Sequence, residues 1–218
     1  MNKFIDHTLL KPDSTELQIK DLCQEAKKYK FASVCIHPNH VKTAAKLLKN
    51  SGIHVCTVIG FPLGANTTET KVFEAKNAID NGAVECDMVI NVSWLKEKAY
   101  KKLTDEISEI KLNCGKHILK VIVEISLLTD DEIAKISQIV SNTNADFIKT
   151  STGFGAHGAT LEAVKIMKEN ISEHLQIKAS GGIRDYQTAK AYIDLGATRL
   201  GTSSGVKIVE GKPTNKSY

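Results

Sequence analysis

Eight short β-rich runs recur along the chain: FIDHTLL, FASVCIHP, HVCTVIGFP, VECDMVINV, HILKVIVEI, ADFIKTSTG, LQIKASGGI and ATRLGTSS. Their starts lie roughly 22 to 33 residues apart. Between them, as in STELQIKDLCQEAKKY, TTETKVFEAKNAIDN, TDDEIAKISQIVSN and TLEAVKIMKEN, apolar residues recur three and four apart, the period of a helix with one buried face. Alternating strands and helices imply a parallel sheet covered by helices, since parallel neighbours need a crossover connection. Eight units in 218 residues suit one (β/α)8 barrel over residues 1–210, with a flexible C-terminal tail at 211–218. A doubly wound open sheet is the alternative. No GxGxxG follows the first strand, so a dinucleotide site has little support.

The glycines fit the same register. Gly52, Gly82, Gly115 and Gly196 each follow a helical pattern and precede a strand, where helices end on a left-handed residue. Most of the others follow strands, on the opposite rim, which separates a closing face from a working face. Composition sets the class: 42% hydrophobic and 25% charged residues suit a soluble globular enzyme. No run approaches the roughly 18 apolar residues of a membrane span, and the N-terminus lacks the pattern of a signal peptide. Five cysteines, odd in number and without CxxC spacing, read as a reduced cytoplasmic protein with neither a disulfide frame nor a zinc site. The net charge of +4 comes from lysines interleaved with acidic residues along helices, a solvated face rather than a groove for nucleic acid. Arginine occurs only at 184 and 199, which suggests positions that need a planar fork.

Barrels of this kind carry their active sites at the C-terminal ends of the strands. Those ends offer Asp6, Cys35, Asp87, Glu124, Lys149 and Lys178. Cys35 reads first as a small buried side chain, Glu124 equally as an outer-rim carboxylate, and Asp6 as a helix cap or a partner for His7. Asp87 is sharper: its neighbours in CDMVINV are apolar, and a carboxylate buried there should be paired or functional. Lys149 in FIKTS and Lys178 in QIKAS sit on strands expected to be neighbours, about 4.8 Å apart. Two ammonium groups that close in a poorly solvated interior cannot both stay charged cheaply. The free amine that results is what imine formation with a carbonyl requires, so Lys149 reads as the nucleophile and Lys178 as the cation that keeps it neutral. The turns SGGIRD and GTSSG follow strands seven and eight, where such barrels frequently bind phosphate. With Arg184 beside the first turn, they imply a phosphorylated substrate.

These residues resemble the bacterial deoxyribose-phosphate aldolases, class I aldolases on a (β/α)8 barrel. The likeness runs from IDHTLLKPDST through VCIHP, VIGFPLGANTTETKVFEAKNAIDNGAVECDMVIN and KVIVE to FIKTSTGF, KASGGIRD and GTSSG. It implies that Lys149 forms the Schiff base, that Lys178 and Asp87 move protons, and that Gly181, Gly182, Ser203 and Ser204 hold the substrate phosphate. Asp6, Cys35, Thr152, Gly153, Arg184 and Gly201 complete the expected substrate-binding set. In some members a C-terminal tyrosine assists proton transfer, which makes Tyr218 a candidate beside its reading as a disordered terminal residue. The partners implied are a phosphorylated sugar and aldehydes, with no nucleic acid, no membrane, no metal and no organic cofactor, in a homodimer or homotetramer. The sequence departs from the family at NVS (91–93), where NIG is common, at the following Trp94, and at His157 in the glycine-rich loop. A sugar-phosphate isomerase would explain the turns but not the lysine pair. A non-catalytic sugar-phosphate sensor would bind without covalent chemistry.

Overall fold

The computed structural model describes residues 1–211. Its eight strands are β1 (Ile5–Leu9), β2 (Ser33–Ile36), β3 (His54–Ile59), β4 (Glu85–Val89), β5 (Ile118–Ile122), β6 (Phe147–Lys149), β7 (Gln176–Ser180) and β8 (Ala197–Thr202). They are all parallel, each pairs with the next, and β8 returns to β1 with Ile5 opposite Leu200, closing a (β/α)8 barrel. The helices are α1 (Glu16–Tyr29), α2 (Val41–Leu48), α3 (Thr68–Asp80), the short α4 (Val92–Lys96), α5 (Tyr100–Cys114), α6 (Asp130–Ser141), α7 (Leu161–Asn170), α8 (Tyr186–Asp194) and α9 (Gly205–Val209). Every strand and helix expected from periodicity is present. The open doubly wound sheet is excluded by the β1–β8 pairing.

Helix starts are written locally. Thr15 and Thr129 each accept from the backbone N–H three residues on, and Gln18 and Glu132 reach back to the capping residue's own N–H, forming two capping boxes. Asp130, Asp131 and Glu132 add negative charge to the first turn of α6, where the helix dipole favours it. Thereafter Ile133, Ile136, Ile139 and Val140 keep one face buried. At the closing face, Gly52, Gly82, Gly115 and Gly196 all have positive φ, as their position after a helix requires.

Strand alternation divides the barrel wall into two faces of opposite character. Cys86 and Met88 of β4, Leu119 and Val121 of β5 and Ile148 of β6 join the apolar layer shared with the helices. Their strand neighbours Glu85, Asp87, Lys120 and Lys149 meet one another across the barrel interior. The hydrophobic core is therefore a ring between sheet and helices, while the barrel's centre is largely ionic. A small apolar group of Leu10, Cys35, Cys56 and Val58 fills one side of that centre.

Removing the α6 cap should cost about 1 kcal/mol. For Thr129→Ala we expect the unfolding midpoint to drop by about 2–4 °C, the shift usual for a chain of this size, measured by calorimetry.

Candidate active site

Lys149 is the last residue of β6, with its Cα opposite that of Lys178 in β7, the adjacency read from the sequence. The two ammonium groups are not left facing one another. Asp87 Oδ2 lies between them, accepting from Lys149 Nζ at 2.8 Å and from Lys178 Nζ at 2.7 Å. Asp87 Oδ1 accepts from a third lysine, Lys120 Nζ, at 2.8 Å. Lys120 also meets Glu85 at 2.5 Å, and Lys178 meets Asp6 at 2.5 Å. Arg199 closes the cluster from β8, donating to Asp6 Oδ1 at 2.6 Å and Glu85 Oε2 at 3.0 Å with its face over the Phe147 ring. Four basic side chains thus surround three carboxylates, all of them buried except Arg199, which is 12% exposed. Buried charges persist only when paired in this way.

The mutual pairing keeps the three carboxylates ionised and Lys120 and Lys178 protonated. Burial by itself would push the Asp87 carboxyl up, but Lys120, Lys149 and Lys178 outweigh it and hold the group well below the usual carboxylate range. Burial likewise opposes ionisation of Asp6 and Glu85, yet their cationic neighbours win, taking Glu85 down to about 2. Burial would strip the proton from Lys120 and Lys178; facing carboxylates reverse that and raise both, so Lys178 stands beside Lys149 as a firm cation. Donor atoms of Cys35, Cys56 and Asp87 lie within 4.8 Å of one another, as do those of Asp6, Cys56 and Glu85. The space where a metal would neutralise these carboxylates is taken by Lys120, Lys178 and Arg199, so the donor sets do not fit an ion.

Above the cluster opens a cleft of about 310 Å³. Of the cluster's lysines, Lys149 alone lines it. Thr152 and Gly153 form one wall, and Gly181, Gly182 and Arg184 with Gly201 and Ser203 form the other. Gly181 takes φ +87°, and a Cβ on neighbouring Gly158 would lie 2.3 Å from the Gly181 carbonyl. Only two glycines allow the loops after β6 and β7 to meet there. Several expected site residues sit elsewhere than at the rim. Asp6, Cys35, Asp87 and Lys178 lie within their strands, fully buried and outside the lining of the cleft. Asp6 does not hold His7, which pairs instead with Glu25 on the outer side of the barrel wall; Asp6 takes Lys178, Arg199 and Ser33. Cys35 is a buried thiol, lowered first by its hydrogen bond with Cys56 and lying under the cleft rather than in it. Ser204 does not line the cleft; its N–H donates to Thr202 Oγ1 at the start of α9. Tyr218 lies outside the described residues. Trp94 packs against the ring core and Lys102, and His157 is exposed beside Gly158, both away from the lysine cluster.

Lys120 and Glu85 were not singled out from the sequence. The signal was present: a lysine in ILKVI and a glutamate in VECDMV interrupt apolar runs just as Asp87 does.

A closed parallel barrel whose centre holds lysines and a bridging carboxylate, beneath a cleft at the C-terminal ends of its strands, has the build of a barrel lyase. The comparisons with known proteins agree. The chain belongs to the DeoC/LacD family of aldolases, whose sequence model matches residues 1–211. A deoxyribose-phosphate aldolase from Geobacillus sp. (strain WCH70) is 55% identical over 217 residues, covering 99% of this chain and 97% of that protein. Among solved structures, the aldolase QR15 is 44% identical with a TM-score of 0.92, covering 96% of this chain and 94% of the other. The tetrameric deoxyribose phosphate aldolase from Aeropyrum pernix is 33% identical with a TM-score of 0.87, over 96% and 89%. Among the described residues, no helix is long and apolar enough to cross a membrane.

The cluster makes a prediction about acid. The folded values of Asp6, Glu85 and Asp87 lie below their ordinary values of 3.8, 4.5 and 3.8, so as pH falls the unfolded chain takes up protons first. Their contribution is complete above about pH 5.5 and fades from about 4.5 toward 2. Urea unfolding across pH 2–7 should show that decline, and a free energy unchanged down to pH 3 would contradict it.

Proposed function

We propose that this protein is a deoxyribose-phosphate aldolase, cleaving 2-deoxy-D-ribose 5-phosphate reversibly to D-glyceraldehyde 3-phosphate and acetaldehyde through a Schiff base on Lys149. One observation carries the reading: Lys149 Nζ lies at the cleft floor, hydrogen-bonded to the same Asp87 oxygen that Lys178 holds. The relatives' activity and the charge count of the cluster both support it. With Lys149 as free amine, three cations balance three carboxylates, so the nucleophilic form leaves no charge uncompensated.

The Lys149 amine adds to the aldehyde carbon, C1, of the open-chain sugar, and loss of water leaves an iminium. Asp87, through a water and in contact with Lys178, takes the proton from the C3 hydroxyl. The O–H pair becomes the new carbonyl bond, C2–C3 breaks, and its electrons move to the iminium nitrogen as an enamine. Glyceraldehyde 3-phosphate departs. The enamine is protonated at C2, and water hydrolyses the resulting iminium to acetaldehyde and free Lys149. The iminium is itself the electron sink, so these steps call for neither a metal nor an organic cofactor. Arg184, Ser203 and the glycine turns at 181–182 and 201 bind the phosphate, with Ser204 supporting that turn from the start of α9. Binding at that remote end positions C1 over Lys149. Thr152 and Gly153 line the opposite wall, while Asp6 and Cys35 shape the floor from below. We assign the barrel to residues 1–210 with a tail from 211, and Tyr218 to a proton-shuttle role. The enzyme acts in cytoplasmic deoxyribose catabolism as a homodimer or homotetramer.

Borohydride reduction in the presence of acetaldehyde, followed by peptide mass spectrometry, should place an ethyl adduct on Lys149, and Lys149→Arg should lose it while staying folded. An adduct on Lys178 would exchange the two roles. Binding of the sugar phosphate with no adduct at all would identify a sensor instead. Arg184→Ala should raise KM for the phosphorylated sugar about tenfold and leave turnover of unphosphorylated deoxyribose unchanged. Steady-state kinetics on both sugars would check this, and an equal loss on both would contradict the phosphate site.

A further inference from the structure

Glu124 follows β5 by two residues and takes no part in the chemistry above. It is buried, and its backbone adopts φ +53°, ψ 71°. A non-glycine residue rarely enters this left-handed region, and it persists there only where the surroundings over-determine it. Here they do. Glu124 Oε2 accepts from the Thr152 N–H at 3.1 Å and from the Thr152 hydroxyl at 2.5 Å, and Oε1 accepts from Ser126 Oγ at 3.0 Å. Thr152 Oγ1 in turn accepts from the Phe154 N–H at 3.0 Å. The backbone on either side is tied to the same segment, Val123 N–H to the Lys149 carbonyl and Ile125 N–H to that of Thr150.

Thr152, Gly153 and Phe154 form one wall of the cleft. The far end of their loop is stitched to the opposite wall, where Ala159 N–H donates to the Ser180 carbonyl at 2.9 Å and to that of Gly181 at 3.2 Å. The loop therefore hangs between two fixings, the β7 turn and the Glu124 carboxylate. Gly155 leaves room for the second. A Cβ there would lie 2.4 Å from Ser126 Oγ and 2.9 Å from Glu124 Oε1.

We propose that Glu124 is a positioning residue for the aldolase reaction. It latches residues 152–155 against the mouth of the cleft and so fixes the wall that faces the phosphate-binding turns, closing the substrate in from the other side, acting through Thr152 and without touching the reacting atoms. The proposal rests on the aldolase reading, and the two are separable by experiment. Acetaldehyde trapping on Lys149 needs only the amine and its cluster, whereas KM for deoxyribose 5-phosphate needs the wall.

The test compares Glu124→Ala with Glu124→Gln, which keeps an oxygen able to accept from Thr152. The alanine variant should raise KM for deoxyribose 5-phosphate about tenfold, keep kcat within about threefold, and trap acetaldehyde on Lys149 like the parent. The glutamine variant should recover KM to within about threefold of the parent. An unchanged KM in the alanine variant, a fall in kcat at constant KM, or no recovery with glutamine overturns the proposal. Loss of trapping in the parent itself would instead defeat the aldolase reading. Should Glu124→Ala fail to fold, Gly155→Ala presses on the same latch from the loop side. It must then show the same rise in KM, and a KM at the parent value overturns the proposal.

Discussion

A carboxylate shared by three lysine side chains is the interaction on which this barrel's centre depends. Asp87 has two oxygens and three lysine partners, one on the adjoining strand β5 and two on β6 and β7 beyond it, so it ties β4 to β5, β6 and β7. An unpaired charge at such depth would be untenable, and each member of the cluster is made tolerable by its neighbours. The consequence for chemistry is direct. Asp87 stays ionised only because it is surrounded by cations, and Lys178 stays protonated because it faces carboxylates.

Much of this was legible in the sequence. The strand–helix beat gave the barrel, because two periodicities alternate without ambiguity, and the glycines marked which rim was which. Lys149, Lys178 and Asp87 stood out because a charged residue in an apolar run must be explained. The sequence could not show depth. Asp6, Cys35, Asp87 and Lys178 were read as rim residues, yet they are fully buried and do not line the cleft, a depth set by the closed sheet rather than by any local signal. Nor could a pairwise argument show that the two lysines are bridged rather than bare. Lys120 and Arg199 arrive from strands far away in sequence, and their convergence on Asp87, Glu85 and Asp6 appears only when the sheet closes. Ser204 sits beside the cleft lining, with its N–H engaged by Thr202 Oγ1 at the start of a helix, a detail of turn geometry that no residue pattern announces.

The location of the apolar layer has a further meaning. Because the helices and the outer face of the strands hold the hydrophobic ring, residues such as Met88, Val121 or Ile148 can drift one at a time among side chains of similar volume. The ionic centre is less tolerant, since loss of Asp87, Asp6, Glu85, Lys120 or Lys178 leaves a buried partner charge uncompensated. Altering the charge there without loss of stability therefore calls for paired exchanges, whereas the outer ring accepts changes one side chain at a time.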